Sequence, residues 1–230
     1  MLSTGHLVFI HLHKSGGTFI NQLLLRHGTD TRVIGYHLPY RELPPELRAL
    51  PVLGAVRDPL GYYVSWYHFQ AGMPRPNPLF LICSDGGRLG FVATIRNLVW
   101  LEQDDVRLSQ FEQCVPDTFQ SRGLNFTKRC VRELRGSGLG FYSYLFLRMF
   151  SGSDAPHLLR TERIRQELQP MLERLGEPLS PAALNFIRKA PNLNTSRHGD
   201  VEDYYDATLR ADIDRRDATI FDIKRNLTQA

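Results

Sequence analysis

The chain reads as an α/β protein whose strands lead into helices, and three observations predict this. Leu7–Ile10 is a short continuous apolar run, the pattern of a parallel strand buried on both faces. It breaks into His13-Lys14-Ser15-Gly16-Gly17-Thr18 and resumes with Phe19, Ile20, Leu23 and Leu24 spaced as one helix face. A second strand-to-helix passage follows, where Pro51–Val56 runs into Arg57-Asp58-Pro59. With 230 residues, 42% of them hydrophobic, the chain can bury a substantial core, and length alone allows one domain or a small pair.

The first loop has the makings of an anion site. Glycine lets the backbone turn tightly and approach a ligand, and the first N–H groups of the following helix lack internal partners. Lys14 adds a point charge and Thr18 a hydroxyl. The loop is not a Walker A motif, in which the lysine follows the second glycine; here it precedes both. A loop of this composition also occurs purely for packing.

In the second passage Asp58 is a good N-cap and Pro59 a good first helical residue. Leu60, Tyr63, Val64 and Tyr67 form the expected core stripe. Arg57 then stands at the carboxyl end of a strand, where open α/β sheets bind ligands. Ser65, on the face shared with Asp58 and Gly61, is placed to hold one phosphate together with Arg57. The plainer alternative is a capped surface helix with an incidental arginine.

Together the two stretches resemble, in order and spacing, the cofactor signature of the sulfotransferases that use 3′-phosphoadenosine 5′-phosphosulfate (PAPS). In that family the first loop binds the 5′-phosphosulfate and the second segment the 3′-phosphate. The resemblance implies these roles for Lys14, Ser15, Gly16, Gly17 and Thr18, and for Arg57 and Ser65. Ser15 stands where the family more often has threonine. Leu158-Leu159-Arg160-Thr161-Glu162 is similar to a later core strand of the family, and Asn194-Thr195-Ser196-Arg197-His198-Gly199 to the loop that closes over the cofactor. The fold so implied is a P-loop-type three-layer α/β/α domain with a central parallel sheet, spanning residues 1–230. Residues 90–150, with Phe91, Ile95, Leu98 and Leu101 on one helix face, read as a helical insertion that either flanks the substrate cleft or merely covers the sheet.

The formal charge of +4 is scattered, and no nucleic-acid motif accompanies it. Lys14, Arg57 and Arg197 are expected to make a locally positive pocket, with Arg160 adding to it, whereas Arg163 and Arg165 read as a solvated helix start. Residues 202–216 read as another solvated helix face, with Tyr205 and Leu209 packed beneath. No run approaches the ~18 apolar residues that span a bilayer. The first strand begins too early for a signal peptide to precede it, so a soluble cytoplasmic enzyme of bacterial style is expected, or one whose anchor has been removed. Cys83, Cys114 and Cys130 are odd in number and lack metal-ligand spacing, which favours thiols, although a Cys114–Cys130 bridge stays open. The sequons at Asn125, Asn194 and Asn226 are read as chance.

The reaction implied is in-line transfer of a sulfuryl group from PAPS to an acceptor hydroxyl, of a carbohydrate, lipid or other small molecule, with no metal. Lys14 and the loop N–H groups would stabilise the leaving phosphate. His37, which follows the apolar run Val33–Tyr36 at the end of an expected second strand, is the preferred general base; Glu42 and His13 are the alternatives. Trp66, Tyr67, Phe69, Trp100, Tyr142 and Tyr144 either line an acceptor pocket or are core. Two other classes stay open. One is a Mg²⁺-dependent P-loop phosphotransferase using Thr18 and Asp58, the other a catalytically inactive nucleotide-binding protein.

Overall fold

The apolar run at Leu7–Ile10 does become an inner strand, and none of its four side chains reaches solvent. The computed structural model describes residues 1–120, 123–191 and 198–229. Its strands are β1 (Leu2–Ser3), β2 (Val8–Phe9), β3 (Arg32–Val33), β4 (Val52–Val56) and β5 (His157–Arg160). Its helices are α1 (Gly17–His27), α2 (Pro59–Ala71), α3 (Pro78–Cys83), α4 (Phe91–Val99), α5 (Asp105–Cys114), α6 (Lys128–Leu134), α7 (Phe141–Phe150), α8 (Ile164–Arg174), α9 (Pro181–Lys189), α10 (Ala207–Arg216) and α11 (Ala218–Gln229).

The strands form one sheet in the order β3-β1-β2-β4-β5. β2, β4 and β5 are parallel, as the apolar runs predict, with Phe9 opposite Leu53 and Ala55 opposite Leu159. β1 is the departure from an all-parallel sheet, running against both β2 and β3. Two residues carry no periodicity, so nothing in the sequence marks this strand. Its consequence is geometric: two reversals restore direction, and β3 leaves the sheet at the same edge as β2.

The chain gathers into two compact units. The first holds Met1–Arg57, residue 123 and residues 147–191, and with them the whole sheet. On one sheet face Phe9, Leu53, Ala55 and Leu159 pack against Phe19, Ile20 and Leu23 of α1, Leu168 and Leu172 of α8, and Ala183 and Ile187 of α9. Gly54 points the opposite way, because successive strand residues alternate. A Cβ there would lie 2.5 Å from the Phe150 ring at the end of α7. Both faces of the sheet are therefore covered by helix, the layered arrangement that buried parallel strands require.

The second unit holds Asp58–Gln120, residues 124–146 and residues 198–229, and is helical. Asp58 caps α2 as predicted, its Oδ1 accepting from the N–H groups of Leu60 (3.0 Å) and Gly61 (3.4 Å). The narrow core stripe expected for α2 is a correction: Tyr62, Ser65 and Trp66 are as buried as Leu60, Tyr63 and Val64, while Tyr67 is half-buried. From Pro59 to Trp66 the helix is buried on every side, which masks its amphipathic period, and exposure returns at Phe69. Trp66, Tyr142 and Tyr144 are accordingly core residues, and Tyr62 lies stacked on Tyr142 at 3.8 Å between centroids.

Between residues 90 and 150 the described residues form α4 to α7, with Ile95, Leu98 and Leu101 fully buried. α10 presents the solvated face predicted for it, with Arg210, Asp214 and Arg215 exposed and Leu209 buried beneath, and departs from it at Arg216, which is buried and paired with the buried Glu102. The three cysteines form no disulfide, Cys83 and Cys130 lying buried and Cys114 exposed. Asn125 is buried, its Oδ1 accepting from the N–H of Gln120 at 2.8 Å, which agrees with reading its sequon as chance.

Candidate functional site

After β2 the chain is held to β4 by one more ladder bond, from the N–H of Ile10 to the carbonyl of Leu53 (2.9 Å), and then turns. The turn uses two left-handed residues, Lys14 at φ 55° and Gly16 at φ 74°. Gly16 is the N-cap of α1 and brings no side chain to the helix end, so the first N–H groups of the helix have no side-chain cap. Its missing Cβ matters as well, since one built there would press within 3.2 Å of both Thr161 and Ile164. The loop therefore presents backbone donors at a helix start, the local chemistry of an anion site.

Two cations border these donors. Lys14 is half-buried, and burial, reinforced by the Arg57 guanidinium, lowers its ammonium from an ordinary 10.5 to about 8. Arg57, at the end of β4, donates from Nη1 to the Lys14 carbonyl at 3.4 Å. The end of β5 is tied to the same place, because the Thr161 hydroxyl donates to the Val56 carbonyl at 3.1 Å. Ser15 turns its hydroxyl inward, onto the His13 carbonyl at 3.2 Å, and Thr18 sits half-buried on the first turn of α1.

The second strand ends earlier than its apolar run suggests. Arg32 and Val33 alone pair with β1, and both are exposed. Ile34 and Gly35 instead donate to the Met1 carbonyl, and the chain reaches His37 in a left-handed turn at φ 52°. His37 thus lies beyond the strand end rather than on it, and is buried beside the loop that follows β2. Its ring lies on that of His13, with centroids 3.6 Å apart and planes 17° from parallel, and 4.4 Å from that of His11. Nδ1 of His37 is 2.7 Å from the His11 carbonyl. A carbonyl only accepts, so Nδ1 carries the hydrogen and Nε2 keeps its lone pair. Burial, with the nearby Arg148 cation as a lesser cause, lowers the His37 imidazole to about 3. Glu42 is exposed on a short 3₁₀ turn.

A comparison with solved structures finds a likeness along the whole chain. A crystal structure of mouse sulfotransferase SULT7A1 complexed with PAP superposes with a TM-score of 0.54 over 97% of this chain and 88% of that one, at 12% identity. The chain has the sulfotransferase fold. At that identity the likeness speaks to the fold alone. No protein-family model matches the chain, and no curated protein sequence does.

Within the sulfotransferase fold, the first unit brings together Lys14, Ser15, Gly16, Gly17, Thr18, Arg57 and His37 in one stretch of sheet edge and adjoining loop. Ser65 belongs to the second unit, where it is buried in α2. Asn194, Thr195, Ser196 and Arg197 lie outside the described residues. Arg160 does not add to a positive pocket: it forms an ion pair with Glu167, its Nε donating at 2.6 Å. Arg165 also departs from the solvated reading, stacking its guanidinium 4.7 Å over Phe19 and donating to the last carbonyls of α9. His11 carries no signal in the sequence. An isolated histidine in an apolar run looks like core, and only the fold shows its ring against both α1 and His37.

Proposed function

We propose that the chain is a PAPS-dependent sulfotransferase that moves a sulfuryl group to an acceptor hydroxyl. The observation that carries this reading is the loop from Lys14 to Thr18: uncapped N–H groups at the start of α1, a left-handed Gly16, Lys14 beside them, and Arg57 bonded to the Lys14 carbonyl. Such a cradle fits a phosphosulfate, with donors and a cation on one side and a left-handed Gly16 where a side chain would be strained.

In this reading Lys14 and the loop N–H groups hold the bridging end of the cosubstrate, and charge growing there during transfer is met by donors already in place. Arg57 takes the 3′-phosphate. Bound PAPS supplies the activated sulfuryl group. His37 accepts the acceptor's proton at Nε2, while its Nδ1–H stays on the His11 carbonyl and keeps the ring in register. The phosphotransferase alternative is less well served. Its strand-end aspartate would be Asp58, which caps α2 and pairs with Lys224 at 3.1 Å.

The test is calorimetric titration of 3′-phosphoadenosine 5′-phosphate (PAP) into the wild type, Lys14→Ala and Arg57→Ala, with chelator present and ADP as the control. Micromolar or tighter binding that prefers the 3′-phosphate and weakens in both variants is the expected result. Absence of binding, or a preference for ADP once magnesium is restored, would sink the reading.

A further inference from the structure

His11 is buried, yet its ring is placed by contacts that an ordinary core residue does not need. One side of the ring faces the first residue of α1: a Cβ on Gly17 would lie 2.0 Å from His11 Cδ2 and 2.4 Å from Nε2. One turn further along the same helix, Asn21 holds the other ring nitrogen, its Nδ2 standing 2.9 Å from His11 Nδ1. An amide nitrogen donates and does not accept, so this bond leaves Nδ1 of His11 unprotonated and puts its hydrogen on Nε2. On its remaining side His11 meets His37, ring to ring at 4.4 Å and through its own carbonyl to Nδ1 at 2.7 Å.

We propose that Asn21 and His11 are positioning residues that hold His37 in register with the start of α1, so that base and phosphate loop move as one piece. This rests on the reading of His37 as the base. The chain of contacts is continuous within the first unit: Asn21 grips His11, His11 fills the notch left by Gly17, and His37 hangs from the backbone and ring of His11. The helix that offers its N–H groups to the anion thus also sets where the proton acceptor stands. Catalytic groups misplaced by ~1 Å lose on the order of 10²-fold in rate, which is the reason such a brace has something to do.

The test compares Asn21→Leu with Asn21→Asp and reads the apo protein first. Two-bond ¹⁵N–¹H spectra of histidine-labelled wild type should show His37 as the Nδ1–H tautomer and His11 as the Nε2–H tautomer. In Asn21→Leu the His11 ring loses its anchor, and the His37 pattern should shift towards a tautomer mixture. Turnover should fall roughly 10- to 100-fold, with PAP affinity unchanged within about twofold. Asn21→Asp keeps a partner on His11 Nδ1, reversing that ring's tautomer but not its place, and should restore the His37 pattern and most of the turnover. A His37 spectrum identical in Asn21→Leu and wild type overturns the proposal, as does a wild-type His37 in the Nε2–H form. Failure of PAP to bind the wild type would instead strike the sulfotransferase reading, and the apo spectra would still decide the brace.

Discussion

The imidazole of His37 lies flat on that of His13, 3.6 Å between centroids, while its Nδ1 is committed to the His11 carbonyl. The ring has one nitrogen left for chemistry, and its plane is set from two sides. Replacing His37 with Asn should therefore lower turnover by ~10²-fold, the low end for a placed general base because burial holds its imidazole near 3, with PAP affinity little changed. Steady-state kinetics and PAP calorimetry on one preparation check this. Near-normal turnover would return the role to Glu42 or His13.

The same burial makes the histidines an acid liability. His11 and His37 are both held below the ordinary 6.5 of imidazole, chiefly by desolvation. The native state then binds fewer protons than the unfolded chain. Their contribution to stability is present above pH ~6.5 and is lost as pH falls towards the folded value, near 3 for His37. Each histidine should add a slope of about 1.4 kcal/mol per pH unit in that window. Urea melts at pH 7, 6, 5 and 4 measure it, and the slope should flatten in His37→Asn.

Lys14 works in the opposite direction. Its ammonium is pushed down to about 8, so the free protein loses this positive charge as pH rises through that value. PAP affinity should be full below pH 8 and weaken above it, and Lys14→Met should show weaker binding with that pH dependence removed. Binding that is flat from pH 7 to 9.5 in the wild type would refute the assignment of Lys14 to the anion.

Gly17→Ala tests the close approach of α1 to His11. A methyl group there meets ring atoms at 2.0–2.8 Å, so either the ring or the helix start must shift. Overpacking of this kind costs roughly 1–3 kcal/mol. Thermal melts should show the loss, and His11→Ala in the same chain should recover part of it by opening the space.

In the second unit Asp217 is fully buried and accepts from the Tyr63 hydroxyl (2.7 Å) and the Ser143 N–H (2.7 Å). Tyr63→Phe removes one of these donors and should cost about 1–3 kcal/mol. For a chain of this length that is a drop of about 2–4 °C in Tm per kcal/mol. An unchanged melting temperature would mean that the Tyr63 hydroxyl is dispensable to Asp217.

By itself the sequence determined the features that arise from short-range chemistry. Continuous apolar runs at Leu7–Ile10 and Pro51–Val56 mark inner strands because such strands are covered on both faces. Asp58 and Pro59 mark the start of α2 because capping acts over three residues. The loop at Lys14–Thr18 announces itself because a turn into an uncapped helix needs glycine where φ is positive. Tertiary structure decided everything that depends on residues distant in the chain. β1 exists only because Leu2 and Ser3 find partners on both sides, and its two reversals bring His37 to the loop. Arg160 is claimed by Glu167, the first two turns of α2 are buried all round, and His11 becomes a wedge between a helix and an imidazole. Periodicity reports which face of an element is apolar, whereas the identity of the neighbour against that face is a property of the packed chain.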